Sequence, residues 1–291
     1  MPTTVTLPTR ILGSRSVSAI GLGAMPMSIE GRPDEARAVA AVHAALDAGV
    51  TLIDTADAYH IDSSDDGHNE LLVARALDSY GGDTSQVLVA TKGGHLRPGG
   101  GLWTLNGRPD YLIRAAEESS RRLGGDAIGL YQFHRPDPDV PFAESVGALE
   151  HLLNAGTIQM AGISNADPDQ INEANEILGG RLASVQNQFS PAFRSSLPEL
   201  RLCAELGIAF LPWSPLGGIG NAGDLGSSFA PFQQVADARG VSPQQVALAW
   251  ELSLAPVVIP IPGASRPESI RDSVGAATLT LTDDELATLS A

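Results

Sequence analysis

Two apolar periods take turns along the chain. Short apolar runs of strand length occupy 52–54, 87–92, 128–134, 161–164, 183–186, 208–212 and 257–260. Between them lie stretches of helical pattern at 33–48, 69–78, 109–123, 141–155, 168–178, 197–206, 242–254 and 267–276. In the first helix Val39, Val42 and Leu46 recur at i, i+3 and i+7, Pro33 suits the first turn, and Gly49 sits where a C′ glycine belongs. Ser242-Pro243-Gln244-Gln245 has the form of a capping box. An earlier strand ends at Gly21-Leu22-Gly23-Ala24-Met25, and residues 3–20 read as a hairpin around Gly13-Ser14. This alternation predicts an α/β chain of eight β/α units, a (β/α)8 TIM barrel forming one domain over residues 1–291. A doubly wound sheet would alternate too, but no Gly-x-Gly-x-x-Gly turn follows an early strand. Two long glycine-rich connections, 93–107 and 213–231, are expected to be mobile walls of a pocket.

Each of three apolar runs delivers one titratable residue at its C-terminal end: Asp54, with Tyr59 five residues later, Lys92 and His134. Chemistry at the top face of a parallel barrel draws on residues supplied in this way. Gly23 would let the backbone approach a ligand closely there.

In these segments the sequence resembles the aldo-keto reductases. Asp54-Thr55-Ala56 with Tyr59, Asn69-Glu70-Leu71-Leu72, Ala90-Thr91-Lys92, His134-Arg135-Pro136-Asp137, Gly162-Ile163-Ser164-Asn165, Val185-Gln186-Asn187-Gln188 and Trp213-Ser214-Pro215-Leu216-Gly217 follow in that family's order. The resemblance implies an NADPH-dependent reductase of aldehydes or ketones, with NADH the less expected cofactor. Tyr59 would be the general acid, tuned by Lys92, which Asp54 holds in place, and His134 would donate a hydrogen bond to the carbonyl oxygen. An ammonium beside a phenol stabilises the phenolate, so Lys92 is expected to strengthen Tyr59 as an acid. The amide-bearing or hydroxyl side chains Ser164, Asn165 and Gln186 would hold the nicotinamide carboxamide, and Phe189 would stack on its ring. Trp213, Ser214, Pro215, Leu216 and Gly218 would form the pyrophosphate loop. Pro262, Gly263, Ala264, Ser265 and Arg266, with Ser273, would surround the adenosine 2′-phosphate ahead of a helix N-terminus. Ser269 and Ser273 stand where many relatives carry arginine and asparagine, which leaves Arg266 as the main phosphate partner and Arg271 as a second. Met25, Trp103, Tyr131 and Phe193 are candidate substrate walls, Tyr131 being as readily core, and His60 and His95 lie beside the site. Wording around Lys92 and His134 is similar to bacterial members that include pyridoxal reductases, which makes pyridoxal a first substrate to consider.

Composition narrows the partners. The formal net charge of −16 disfavours nucleic acid and anionic membrane, and it obliges an anionic cofactor to find local donors. No apolar stretch reaches the length of a membrane span, and Met1-Pro2-Thr3-Thr4-Val5 lacks the form of a secretory leader. The one cysteine, Cys203, reads as a small buried side chain, so a cytoplasmic location is expected. No histidine spacing suggests a metal. Three other functions compete with aldehyde reduction: alcohol or sugar oxidation through Tyr59 as base, a slow-turnover redox-sensing subunit, and a hydrolase using Asp54 and Asp57. Substrate identity and oligomeric state are not legible in the sequence.

Overall fold

The computed structural model describes residues 7–291, so the first positions of the expected hairpin, 3–6, lie outside it. The hairpin itself is β1 (Thr9–Leu12) paired antiparallel with β2 (Arg15–Ser18). Strands and helices then alternate: β3 (Leu22–Gly23), α1 (Glu35–Asp47), β4 (Leu52–Asp54), α2 (His68–Asp78) and β5 (Leu88–Gly93). A second hairpin, β6 (His95–Gly99) and β7 (Leu102–Leu105), precedes α3 (Pro109–Leu123). The series continues with β8 (Leu130–Phe133), α4 (Phe142–Ala155), β9 (Ala161–Ser164), α5 (Pro168–Ile177), β10 (Leu182–Gln186), α6 (Leu197–Leu206) and β11 (Ala209–Phe210). Five helices close the chain: α7 (Leu225–Ser228), α8 (Ala230–Arg239), α9 (Pro243–Leu254), α10 (Pro267–Gly275) and α11 (Asp283–Ser290).

Seven strands form one parallel sheet in the order β11-β10-β9-β8-β5-β4-β3. The expected eighth strand, 257–260, closes the barrel through half a ladder. Phe210 N–H donates to Val257 O and Ile259 N–H to Phe210 O, while Gly21 and Gly23 donate to the carbonyls of Pro260 and Pro262. Pro260 and Pro262 have no N–H to return toward β3, so the seam carries bridges at Phe210–Val258 and Gly23–Gly263 without becoming a regular strand. The fold is a (β/α)8 barrel.

The first hairpin caps the end where the strands begin. Leu12 and Val17 pack in one buried cluster with Leu52, Leu88, Leu130, Ala209 and Ile259. A larger cluster fills the space between barrel and helices on one side, and a second lies beneath α1 and α2. The apolar floor leaves the opposite end of the barrel to polar side chains.

Local chemistry accounts for several helix ends. Asp167 and Gln170 form a full capping box on α5, and Thr282 with Glu285 forms one on α11. On α9 only half the expected box exists. Ser242 accepts from Gln245 N–H, but the Gln245 side chain turns to Asp272 at 2.7 Å. The two long connections are also more ordered than their glycines suggest. Residues 93–107 contain the β6–β7 hairpin, with Gly99, Gly100 and Gly101 at positive φ making its turn. Residues 213–231 contain α7 and the start of α8. Among the described residues no helix is long and apolar enough to cross a membrane.

Candidate active site

Register decides which side chains enter the barrel. In the parallel ladder Asp54 pairs with Ala90, and Lys92 pairs with Gln132. With Lys92 pointing inward, its neighbour Thr91 points out, where its hydroxyl donates to Glu70 of α2 at 2.5 Å. Tyr131 sits opposite Thr91 and therefore also points out, its hydroxyl donating to Leu112 O. Tyr131 is core, not a substrate wall.

Lys92 is the only lysine of the chain, and it is fully buried. Its ammonium donates to Asp54 Oδ1 at 2.6 Å, Thr55 O at 2.8 Å and Tyr59 Oη at 3.0 Å. All its N–H donors are thereby spent. The other Asp54 oxygen accepts from Gln186 Nε2 at 2.8 Å and Gln132 Nε2 at 3.3 Å, and Ser184 Oγ donates to Gln132 Oε1. Gly162 makes room for this network, since a Cβ there would stand 2.2 Å from Ser184 Oγ. Gln132 and Ser184 are partners that the strand-end pattern did not reveal.

The electrostatics follow from burial. The Tyr59 phenol is raised above its ordinary value, because burial outweighs the opposing pull of Lys92 and Asp54 pushes the same way as burial. Lys92 alone does not make Tyr59 the stronger acid expected of it. For Lys92 burial favours the neutral amine, yet Asp54 and Tyr59 together hold its pKa above the usual lysine value. His134 is held well below the ordinary histidine range by burial, with His95, Lys92 and Arg135 acting the same way, so it is neutral at pH 7. His95 is lowered to about 4 by burial and by Arg135 and Lys92. The Tyr59 and His134 rings meet edge-on with centroids 5.7 Å apart, and the His95 and His134 centroids are 4.3 Å apart.

Over this cluster, at the C-terminal ends of the strands, opens a cavity of about 530 Å³. Asp54, Tyr59 and His134 line it, as do Gly23, Ser164, Asn165, Gln186, Trp213, Ser214, Pro215, Leu216, Gly218 and Gly263. Met25, Trp103 and His95 also line it, and Pro26, Arg135, Ile219, Ala222 and Ile261 complete the wall without having been singled out for this role by the sequence. Asn165 and Ser214 are the non-glycine residues with positive φ among those described, at 58° and 50°. Backbone held in that region is over-determined by its surroundings and gathers at functional sites. Asn165 is pinned by bonds from its amide to His134 O and Ser164 Oγ, and by the Trp213 indole N–H at 3.2 Å.

Several expected positions lie elsewhere. Phe189 is buried in the outer core, stacked on Trp250 with centroids 5.7 Å apart, and Trp213 is the aromatic that faces the cavity from that side. A large apolar ring finds full burial there, against Trp250 and Phe210. Phe193 does not line the cavity either. Pro262, Ala264 and Ser273 are buried, Ser265 is half-buried, and Arg266 is exposed at the N-cap of α10, all outside the cavity. Asp57 turns away from Asp54 into a separate cavity of about 290 Å³ shared with His60, and Tyr111 donates to it at 3.4 Å. Asp54 and Asp57 therefore do not flank a common space, as a two-carboxylate hydrolase would require.

A parallel barrel that gathers a buried lysine, tyrosine and aspartate with a neutral histidine beneath one cleft defines a class, the single-domain (β/α)8 oxidoreductases. Comparison with known proteins is specific. The model of the Aldo/keto reductase family matches residues 19–291. An oxidoreductase of Schizosaccharomyces pombe is 34% identical over 282 residues, 96% of this chain and 87% of that one. A 6-dehydroglucose reductase of Novosphingobium aromaticivorans is 34% identical over 274 residues, 90% of this chain and 86% of that one. The crystal structure of an aldo-keto reductase from Klebsiella pneumoniae in complex with NADPH superposes with a TM-score of 0.81 at 29% identity, covering 98% of this chain and 95% of that one. The chain belongs to the aldo/keto reductase family, and is an NAD(P)H-dependent oxidoreductase acting on carbonyl and alcohol groups.

Proposed function

We propose that the enzyme reduces aldehydes or ketones to alcohols with NADPH, Tyr59 serving as the general acid. The observation that carries this reading is the Lys92 ammonium bridging Asp54 Oδ1 at 2.6 Å and Tyr59 Oη at 3.0 Å. A carbonyl oxygen placed beside Tyr59 and His134 receives a hydrogen bond from the neutral imidazole while Tyr59 delivers its proton to the developing alkoxide. The raised pKa of Tyr59 keeps that proton in place at neutral pH, the protonation state that reduction requires.

Residues of this chain fit a nicotinamide dinucleotide. Gln186 keeps its Oε1 and one N–H beyond the bond to Asp54, enough to pair with a carboxamide. Ser164 spends its O–H on Gln186 O, and Asn165 spends its N–H groups on His134 O and Ser164 Oγ, so they orient Gln186 and His134 more than they bind. Trp213 offers an aromatic face, and Ser214 to Gly218 offers a loop with three positive-φ residues beside the cavity. The reduced nicotinamide, when bound, supplies the hydride. In a chain of net charge −16, Arg266 at the start of α10 is the residue we assign to the 2′-phosphate that distinguishes NADPH from NADH.

Tyr59→Phe should still quench tryptophan fluorescence on binding NADPH but lose roughly 10²–10⁴-fold in turnover, the scale of a positioned acid. Near-wild-type turnover would remove Tyr59 from the mechanism. Arg266→Ala should weaken NADPH far more than NADH, and equal weakening would place the 2′-phosphate elsewhere. Pyridoxal belongs in the first aldehyde screen.

A further inference from the structure

One charged group in the catalytic cavity has no part in the steps above. Arg135 follows His134 beyond the end of β8 and is the only arginine lining the cavity. Its Nε donates to His95 Nε2 at 3.3 Å, and it makes no ion pair among the described residues. The carboxylate next along its loop, Asp137, is committed to the N–H groups of Gly107 and Asp139.

Other arginines withdrawn from solvent find partners in two ways, Arg10 and Arg194 giving terminal nitrogens to backbone carbonyls and two more pairing with carboxylates. Arg97 pairs with Glu30, and Arg122 pairs with Glu70 and Glu118. With 34 acidic residues against 18 basic ones, carboxylates are not scarce in this chain. Of the partly buried arginines without an ion pair among the described residues, Arg10, Arg15, Arg135 and Arg194, Arg135 is the one that lines the catalytic cavity beside the reacting groups. It also stands on a particular side. Its partner His95 begins the β6–β7 hairpin and touches both His134 and Trp103, with centroids 4.3 Å and 5.3 Å away, whereas the Ser214–Gly218 loop follows β11. Neutral His95 fixes the Nε edge and leaves the two terminal nitrogens without partners among the described residues, a fork that matches the oxygens of a carboxylate or phosphate.

We propose that Arg135 reads an anionic oxyacid group on the substrate, so that the preferred aldehydes or ketones carry a carboxylate or a phosphate. The inference rests on the reductase reading above. It also answers a physical need, because a protein of this net charge repels anions at long range and must offset that locally.

The test uses matched pairs that differ in charge: 4-carboxybenzaldehyde against its methyl ester, and glyceraldehyde 3-phosphate against glyceraldehyde, each followed by NADPH oxidation. For at least one pair the wild type should favour the charged member in kcat/KM by roughly 10–100-fold, the scale of a hydrogen bond to a charged group. Whichever pair shows the larger ratio assigns the anion. Arg135→Gln should bring that ratio close to one whatever happens to the neutral rate, and Arg135→Lys should restore part of it. A mere loss of the His95 contact would slow both members alike and leave the ratio standing. A wild-type ratio near one in both pairs, or one that survives Arg135→Gln, overturns the inference while the reductase remains. Failure to reduce any of the four aldehydes overturns both.

Discussion

Replacing Lys92 with methionine keeps a flexible chain of similar length and removes the ammonium. The structure sets the consequence. Three hydrogen bonds vanish, to Asp54, Thr55 and Tyr59, and Asp54 is left 3% exposed with only the Gln132 and Gln186 amides for partners. Stranding one charge of a buried pair costs about 3–5 kcal/mol. For 291 residues the entropy of unfolding near 60 °C is about 0.6 kcal/mol/K, so the melting temperature should fall by about 5–8 °C. Adding Asp54→Asn removes the stranded charge, so the double variant should regain about half of that loss or more. Circular-dichroism melts of wild type, both single variants and the double variant, at pH 7 and one scan rate, complete the cycle. Raising the salt from 0.05 M to 0.5 M should change the differences little, because a buried pair is poorly screened. A Lys92→Met protein melting within about 1 °C of wild type, or a double variant melting below Lys92→Met, would refute the reasoning.

Two further outcomes follow from burial. Because Lys92 is the only lysine, selective ¹³Cε labelling gives a single side-chain signal. It should remain mostly ammonium at about pH 10.4, where an ordinary lysine is half titrated, and should titrate lower in Asp54→Asn; a wild-type midpoint below that value would contradict the pairing. Glu251 in α9 is fully buried, neither carboxylate oxygen has a partner among the described residues, and burial pushes its pKa well above the ordinary value. Its contribution to stability is complete below its unfolded pKa of about 4.3 and is lost as pH rises toward the folded value. Glu251→Met should therefore stabilise by about 1–3 kcal/mol at pH 8 and by clearly less at pH 4.5, and equal gains at both pH values would contradict a carboxyl held neutral in the fold.

What the sequence revealed was what local pattern controls. Alternating periods predicted the barrel, and Asp54, Lys92 and His134 stood out because each ends an apolar run. Residues whose role depends on register between distant strands stayed hidden. Gln132 and Ser184 look like polar breaks in a strand until pairing with Lys92 and Gly162 turns them inward. The place of Phe189 is hidden for the same reason, since nothing local says which layer its ring joins. In sequence Gly99-Gly100-Gly101 disguises the β6–β7 hairpin as a loop, although His95 to Arg97 and Leu102 to Leu105 flank that turn as strands should. Helix α11 carries a local signal of its own, the capping box of Thr282 and Glu285. Arg135 carries no signal in sequence at all, because an unpaired arginine is defined by the carboxylates that fail to reach it.

For the acid role proposed for Tyr59 its raised pKa looks at first like a defect, and the direction of each contribution resolves it. Before transfer the phenol must hold its proton, and burial and Asp54 both favour that state. The acceptor is an alkoxide, a much stronger base than a phenolate, so transfer needs no weakening of the ground-state phenol. The charge that appears on Tyr59 oxygen during transfer then lies 3.0 Å from the Lys92 ammonium, and that attraction exists only once the charge develops. Asp54 opposes the phenolate directly but keeps Lys92 protonated against burial, which would otherwise favour the neutral amine. In the proposed mechanism Lys92 therefore serves proton transfer through the charge that develops on Tyr59. Its removal should be felt mainly in kcat, in the same protein whose melting temperature reports the loss of the pair.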